Sequence, residues 1–136
     1  MPETAESEQL KLSVLKRIGS GINPNRTMGP SNYCVGDTKI HARFCRTNNR
    51  SPHLFKFNIN PNTLASNYEL WICGHVELYY LIPTSLMQRI YDDPDAYPDN
   101  RNPEIRVVSV DVSTNKITYK TGGGKLDIAE YRNKRL

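Results

Sequence analysis

Residues 69–73, Glu-Leu-Trp-Ile-Cys, form an apolar run without alternation after the opening glutamate. That pattern belongs to a strand covered on both faces, so the rest of the chain must supply what covers it. Other segments read as half-buried strands. Tyr33–Val35 and Lys39–Cys45 make a hairpin across Gly36-Asp37-Thr38. Alternation puts Ile40, Ala42 and Phe44 on one face of the second strand, and Lys39, His41, Arg43 and Cys45 on the other. Leu54–Ile59 is a further strand, with Leu54, Phe55, Phe57 and Ile59 as its apolar residues. Gly74-His75 turns the chain from the central run into a strand over Glu77–Ile82.

Two helices accompany these strands. Glu8–Gly19 carries Leu10, Leu12, Val14, Leu15 and Ile18 at helical spacing, with Ser7 placed to cap it. Ser85–Tyr91 follows Pro83 and Thr84. Ile105–Val112 and Lys116–Lys120 form a late hairpin across Ser113-Thr114-Asn115. Residues 20–32 read as a polar loop with Arg26 at its centre, and residues 1–7 as a disordered N-terminus. Residues 8–136 read as one α/β (α+β) domain, within the size range of a single core.

Charge is unevenly placed. Residues 9–60 hold nine Lys or Arg against one acid, Asp37, whereas residues 61–136 hold nine against ten. Positive charge concentrated around the first hairpin is the electrostatic footprint of a nucleic-acid partner. The three cysteines lack the close pairing of a zinc site and read as free thiols. No apolar run approaches a membrane span, and the polar start MPETAESEQ is unlike a secretion signal. The expectation is a cytoplasmic protein without a membrane partner.

The order helix, hairpin, strand, strand, strand, helix over residues 8–91 resembles the PD-(D/E)XK, or restriction-endonuclease-like, superfamily. Tyr79-Tyr80-Leu81-Ile82-Pro83 leading into a helix, and the Leu126–Asn133 tail LDIAEYRN, add to the resemblance. It implies a mixed central sheet flanked by helices, with a C-terminal β-hairpin. Family catalysis uses two carboxylates that hold Mg²⁺ and a lysine beside them. Matched by position, Cys34 stands for the first Asp, His41 for the Glu and Arg43 for the Lys. The strand KIHARFCR contains no acid in any register, so no carboxylate is expected beside these three.

The resemblance therefore implies a degenerate nuclease site that binds DNA without cutting it and needs no cofactor. Such a domain would serve a restriction-modification or defence system, as a homodimer or beside a nuclease subunit. The expected DNA contacts are Arg26, Lys39, His41, Arg43, Arg46 and Arg50. Two alternatives stay open. One is an active Mg²⁺-dependent endonuclease with displaced ligands, drawn from Asp37, Glu69 and Glu77. The other is a protein-interaction or inhibitor module using the acidic loop 92–99.

Overall fold

The computed structural model describes residues 5–20, 22–27 and 31–136. Helix α1 spans Ala5–Ile18 and starts three residues before the expected position. Glu6 and Glu8 lie in its first turn and Lys16 and Arg17 in its last, complementing the helix dipole at both ends. Ser7 is inside this helix and does not precede it. Of the expected disordered segment 1–7, residues 5–7 are helical and the remainder lies outside the described residues. The loop after α1 carries a two-residue strand, β1 (Asn25–Arg26), that pairs with β2 (Asn32–Val35).

Strands β2 and β3 (Thr38–Cys45) form the expected antiparallel hairpin. The chain then leaves this sheet for β4 (Leu54–Ile59) and returns as β5 (Tyr68–Cys73), parallel to β3. Strand β6 (Tyr79–Pro83) pairs antiparallel with β5 and feeds α2 (Thr84–Asp92). The first sheet is therefore five-stranded and mixed, in the order β1-β2-β3-β5-β6. Strands β7 (Arg106–Asp111), β8 (Lys116–Thr118) and β9 (Lys125–Asp127) join β4 in a second, four-stranded sheet. The late hairpin is thus part of a larger sheet, and β4 belongs there and not beside β5. Among the described residues the fold is α+β, with two α-helices and two sheets.

Two cores explain the unbroken apolar run of β5. Leu70 and Ile72 face α1 and pack with Val14, Leu15, Ile18, Tyr33, Ile40 and Leu81. Trp71 and Cys73 face the second sheet and α2, packing with Phe55, Phe57, Ile82, Met87, Val108 and Val110. The Trp71 and Phe57 rings stack at 4.7 Å, nearly parallel. This contact shows why β4 leaves the first sheet. Phe55, Phe57 and Ile59 alternate inward as a layer over β5, while Leu54 and Lys56 point out. Burial of such aromatic and branched side chains stabilises by roughly 1.5–3 kcal/mol each.

The C-terminal segment fastens the two halves. Asn133 accepts from the Tyr79 amide (3.1 Å) and donates to the Glu77 carbonyl (3.0 Å). Arg132 donates to Asn115, which also accepts from the Tyr80 hydroxyl (2.7 Å). Among the described residues, no helix is long and apolar enough to cross a membrane.

Candidate nucleic-acid interface

The β2–β3–β5 register decides which of the expected site residues meet. Cys34 lies opposite Lys39, and Asn32 opposite His41. Across the parallel pair, His41 lies opposite Glu69 and Arg43 opposite Trp71. Cys34, Lys39, His41 and Arg43 therefore do share one face, the one turned toward the second sheet.

What surrounds His41 is not what the strand sequence implied. Its Nδ1 lies 2.7 Å from Glu69 Oε1, and the same oxygen accepts a hydrogen bond from Trp71 Nε1 (3.1 Å). His41 is 4% exposed and Glu69 5%. Two expectations fall here. A carboxylate does stand beside His41, supplied by the neighbouring strand and not by its own. His41 is also buried, so its ring is not presented at the surface where a DNA contact was expected. Burial pushes the Glu69 carboxyl above its ordinary value. The His41 bond and charge, the Trp71 bond and the Arg43 charge all pull the other way. The resulting network ties β3 to β5 through a single carboxylate oxygen.

The three fallback metal ligands do not converge. Asp37 sits exposed in the β2–β3 turn, four residues before His41. Glu77 is exposed ahead of β6, at the end of the sheet where β5 finishes. At a strand rise of ~3.3 Å per residue, about 13 Å separates Glu69 from each neighbourhood. Among the described residues no three His, Cys, Asp or Glu side chains lie close enough to hold one ion. The donor set thus does not fit Mg²⁺, which needs several oxygens at one point. All three cysteines are free, and burial pushes the Cys73 thiol well up.

The cations divide into two groups. Arg26 opposes Tyr33, which is buried against α1, so Arg26 lies on the helix side of the sheet. Its Nη1 donates to Glu8 of α1 at 3.0 Å. The two-residue strand β1, invisible in the polar loop sequence, turns Arg26 away from the other candidates. Lys39, Arg46 and Arg50 are exposed and Arg43 is half-buried. Asn67 holds the Lys39 backbone through two bonds, from the Lys39 amide (2.8 Å) and to its carbonyl (2.9 Å). The loop after β3 is shaped by Asn48, which accepts from the Arg50 amide through its side chain (2.9 Å) and from the Ser51 amide through its carbonyl (3.1 Å).

A cleft of about 350 Å³ opens between this loop and β4. Arg46 and Lys56 line it with Asn48, Ser51, Leu54 and Ser109, and no carboxylate borders it. Lys56 joins the cluster although sequence reasoning did not single it out. Its outward position on β4 was readable from alternation, but its nearness to Arg46 depends on how the sheets stack. The ion pairs among the described residues join Arg26 to Glu8, His41 to Glu69 and Lys120 to Asp93. None engages Lys39, Arg43, Arg46, Arg50 or Lys56. Trp71, Tyr79 and Tyr80 are fully buried and offer no stacking platform for bases.

No family model, no curated protein and no solved structure matches this chain.

Proposed function

We propose that this chain is a DNA-binding domain of restriction-endonuclease-like form that holds the phosphate backbone without cutting it. The observation that carries the reading is the row of cations from Lys39 through Arg43 and Arg46 to Arg50 and Lys56, with no ion-pair partner among the described residues. The charge of exposed Lys39, Arg46, Arg50 and Lys56 is available to an external anion, whereas half-buried Arg43 also acts on Glu69, and the Arg46–Lys56 cleft offers two cations beside amide and hydroxyl donors. Arginine forks suit phosphate oxygens in a way that a lysine cannot reproduce. Contacts of this kind position a duplex and supply affinity, and leave base readout to other groups.

The reading of a non-cutting site rests on Glu69. Hydrolysis in the resembled superfamily needs carboxylates free to hold a metal. Glu69 is buried, its Oε1 is engaged by His41 and Trp71, and no group of three possible metal ligands forms around it among the described residues. Within a restriction or defence system, such a domain would act as a recognition or non-cutting subunit, as a homodimer or beside a nuclease partner.

The test is fluorescence anisotropy with labelled duplex DNA, comparing the parent with Arg46→Glu/Arg50→Glu/Lys56→Glu. The variant should bind at least 100-fold more weakly while keeping the parent's circular dichroism and melting behaviour. A folded variant that binds as tightly as the parent removes this surface from the reading. Incubation of the parent with Mg²⁺ or Mn²⁺ and plasmid DNA should leave the plasmid intact. Cleavage that disappears in Glu69→Gln would restore the nuclease alternative.

A further inference from the structure

Strand β4 ends one side of the second sheet, where the order is β4-β7-β8-β9. Its pairing with β7 fixes which of its backbone groups stay open. The Val112 amide donates to the His53 carbonyl (2.9 Å), one step beyond the paired residues Leu54 and Asp111. In an antiparallel ladder only alternate residue pairs exchange hydrogen bonds. Phe55–Val110, Phe57–Val108 and Ile59–Arg106 are therefore the bonded pairs. Leu54, Lys56 and Asn58 turn their N–H and C=O groups away from β7. The Leu54 amide is used, donating to the Ser51 carbonyl at 3.1 Å. The Lys56 and Asn58 amides have no acceptor among the described residues, and both residues are exposed.

An open edge of this kind can pair with an extended chain, main-chain bonds giving affinity and alternate side chains giving choice. The two faces of β4 define that choice. Phe55, Phe57 and Ile59 are buried on the inner face, so the inward side chains of an added strand must be apolar. On the outer face Lys56 stands beside Arg46 in the cleft of about 350 Å³, which no carboxylate lines. An outward side chain opposite Lys56 would lie about 4.5–5.5 Å from it, Cβ to Cβ, where an opposite charge stabilises and a like charge destabilises. The same rule counts against a second copy of this chain. Two β4 strands paired about the middle of the open edge would set Lys56 against its own counterpart.

We propose that the open edge of β4 takes up an extended segment of alternating apolar and acidic residues, as a fifth strand of the second sheet. The segment's carbonyls would accept from the Lys56 and Asn58 amides, its amides would donate to carbonyls of the same edge, and its carboxylates would meet Lys56 and Arg46. Backbone pairing makes this inference independent of DNA binding, although a strand in place would occupy two of the cations proposed for phosphate.

Amide exchange of the whole chain, read residue by residue by NMR at constant ionic strength, tests it with a short capped peptide that alternates valine and glutamate. With peptide at about ten times its Kd, the Lys56 and Asn58 amides should exchange roughly 10-fold more slowly. The Phe55 and Phe57 amides, already bonded to β7, should keep their rates. A valine–lysine peptide, and the glutamate peptide N-methylated at every residue, should protect neither amide. Asn58→Pro removes one open amide without touching the β7 ladder, at a position where an edge strand accepts proline. It should lose the protection at Lys56 while keeping the parent's circular dichroism and the parent's behaviour toward duplex DNA, so a failure of this edge and a failure of DNA binding are read separately. Should that variant not fold, the N-methylated peptide carries the backbone test alone. Arg46→Glu/Lys56→Glu should reverse the preference and take the lysine peptide in place of the glutamate one. The edge receives no acidic strand if the glutamate peptide leaves both amides unprotected, if the lysine peptide protects them equally in the parent, or if the N-methylated peptide or folded Asn58→Pro keeps the protection. Protection that rises with protein concentration alone assigns the edge to a second copy and overturns the proposal in the same way.

Discussion

Removing Glu69 should unfold most of what holds the first sheet in register. Its Oε1 lies 2.7 Å from His41 Nδ1 and accepts from Trp71 Nε1 (3.1 Å), and all three side chains are buried. Glu69→Ala leaves two buried polar groups without their partner, at about 1–3 kcal/mol each. The two losses together come to about 2–6 kcal/mol, wherever the proton of the His41–Glu69 contact rests. The expected destabilisation is therefore ~2–6 kcal/mol, a large share of the ~5–15 kcal/mol available to a domain. With a urea m-value of about 2 kcal/mol/M, the unfolding midpoint should drop by roughly 2 M. Glu69→Gln keeps an acceptor oxygen in the same place and should lose no more than about 1 kcal/mol near neutrality. The assay is equilibrium urea unfolding followed by Trp71 fluorescence, since this is the only tryptophan in the chain. A Glu69→Ala variant within 1 kcal/mol of the parent would refute the reasoning, because a carboxylate in solvent is all that such a result allows.

Three further expectations follow from single contacts. Folding raises the Glu69 pKa above 4.5, so the folded state holds that proton more tightly than the unfolded chain. The stability gained from this is present at low pH and lost as pH rises through the raised value, so the parent should lose ground against Glu69→Gln as pH climbs above 4.5. A difference that grows in the parent's favour contradicts it. Gly74 adopts φ +84°, and a Cβ there would lie 2.5 Å from Thr47 Oγ1. Gly74→Ala should cost about 1–3 kcal/mol in urea unfolding, and a neutral result would mean that the turn relaxes. Asn133→Ala removes the bonds to Tyr79 and Glu77 and should lower stability by about 1–2 kcal/mol while exposing the β6 edge to faster amide exchange.

Local pattern carried most of the elements. Strands β2, β3, β5 and β6 fell close to where alternation and the apolar run placed them, because side chains on a pleated sheet report their own burial. Partnership between distant strands was a different matter. Phe55 and Phe57 announce an inward face for β4, but nothing in that segment says whether the face covers Trp71 or extends the sheet beside it. Glu69 shows the same limit. As a lone acid opening an apolar strand it reads as solvated, and only the parallel register with β3 sets it against His41. Asn25–Arg26 is too short a strand to leave a periodic trace, so the sequence shows Arg26 only as part of a polar loop. The Arg46–Lys56 cleft joins residues ten apart across two sheets, a proximity that depends on sheet stacking and on no motif.

The salt dependence of duplex binding tests the proposed function most directly. Phosphate contacts release counterions, and log K falls with log salt by about 0.9 per contact on B-DNA. Four contacts drawn from Lys39, Arg43, Arg46, Arg50 and Lys56 give a slope of roughly −3 to −4 for the parent. The Arg46→Glu/Arg50→Glu/Lys56→Glu variant should show a slope shallower by at least about 2. A parent affinity that does not change between low and moderate salt, or a variant slope equal to the parent's, would contradict backbone binding by this surface.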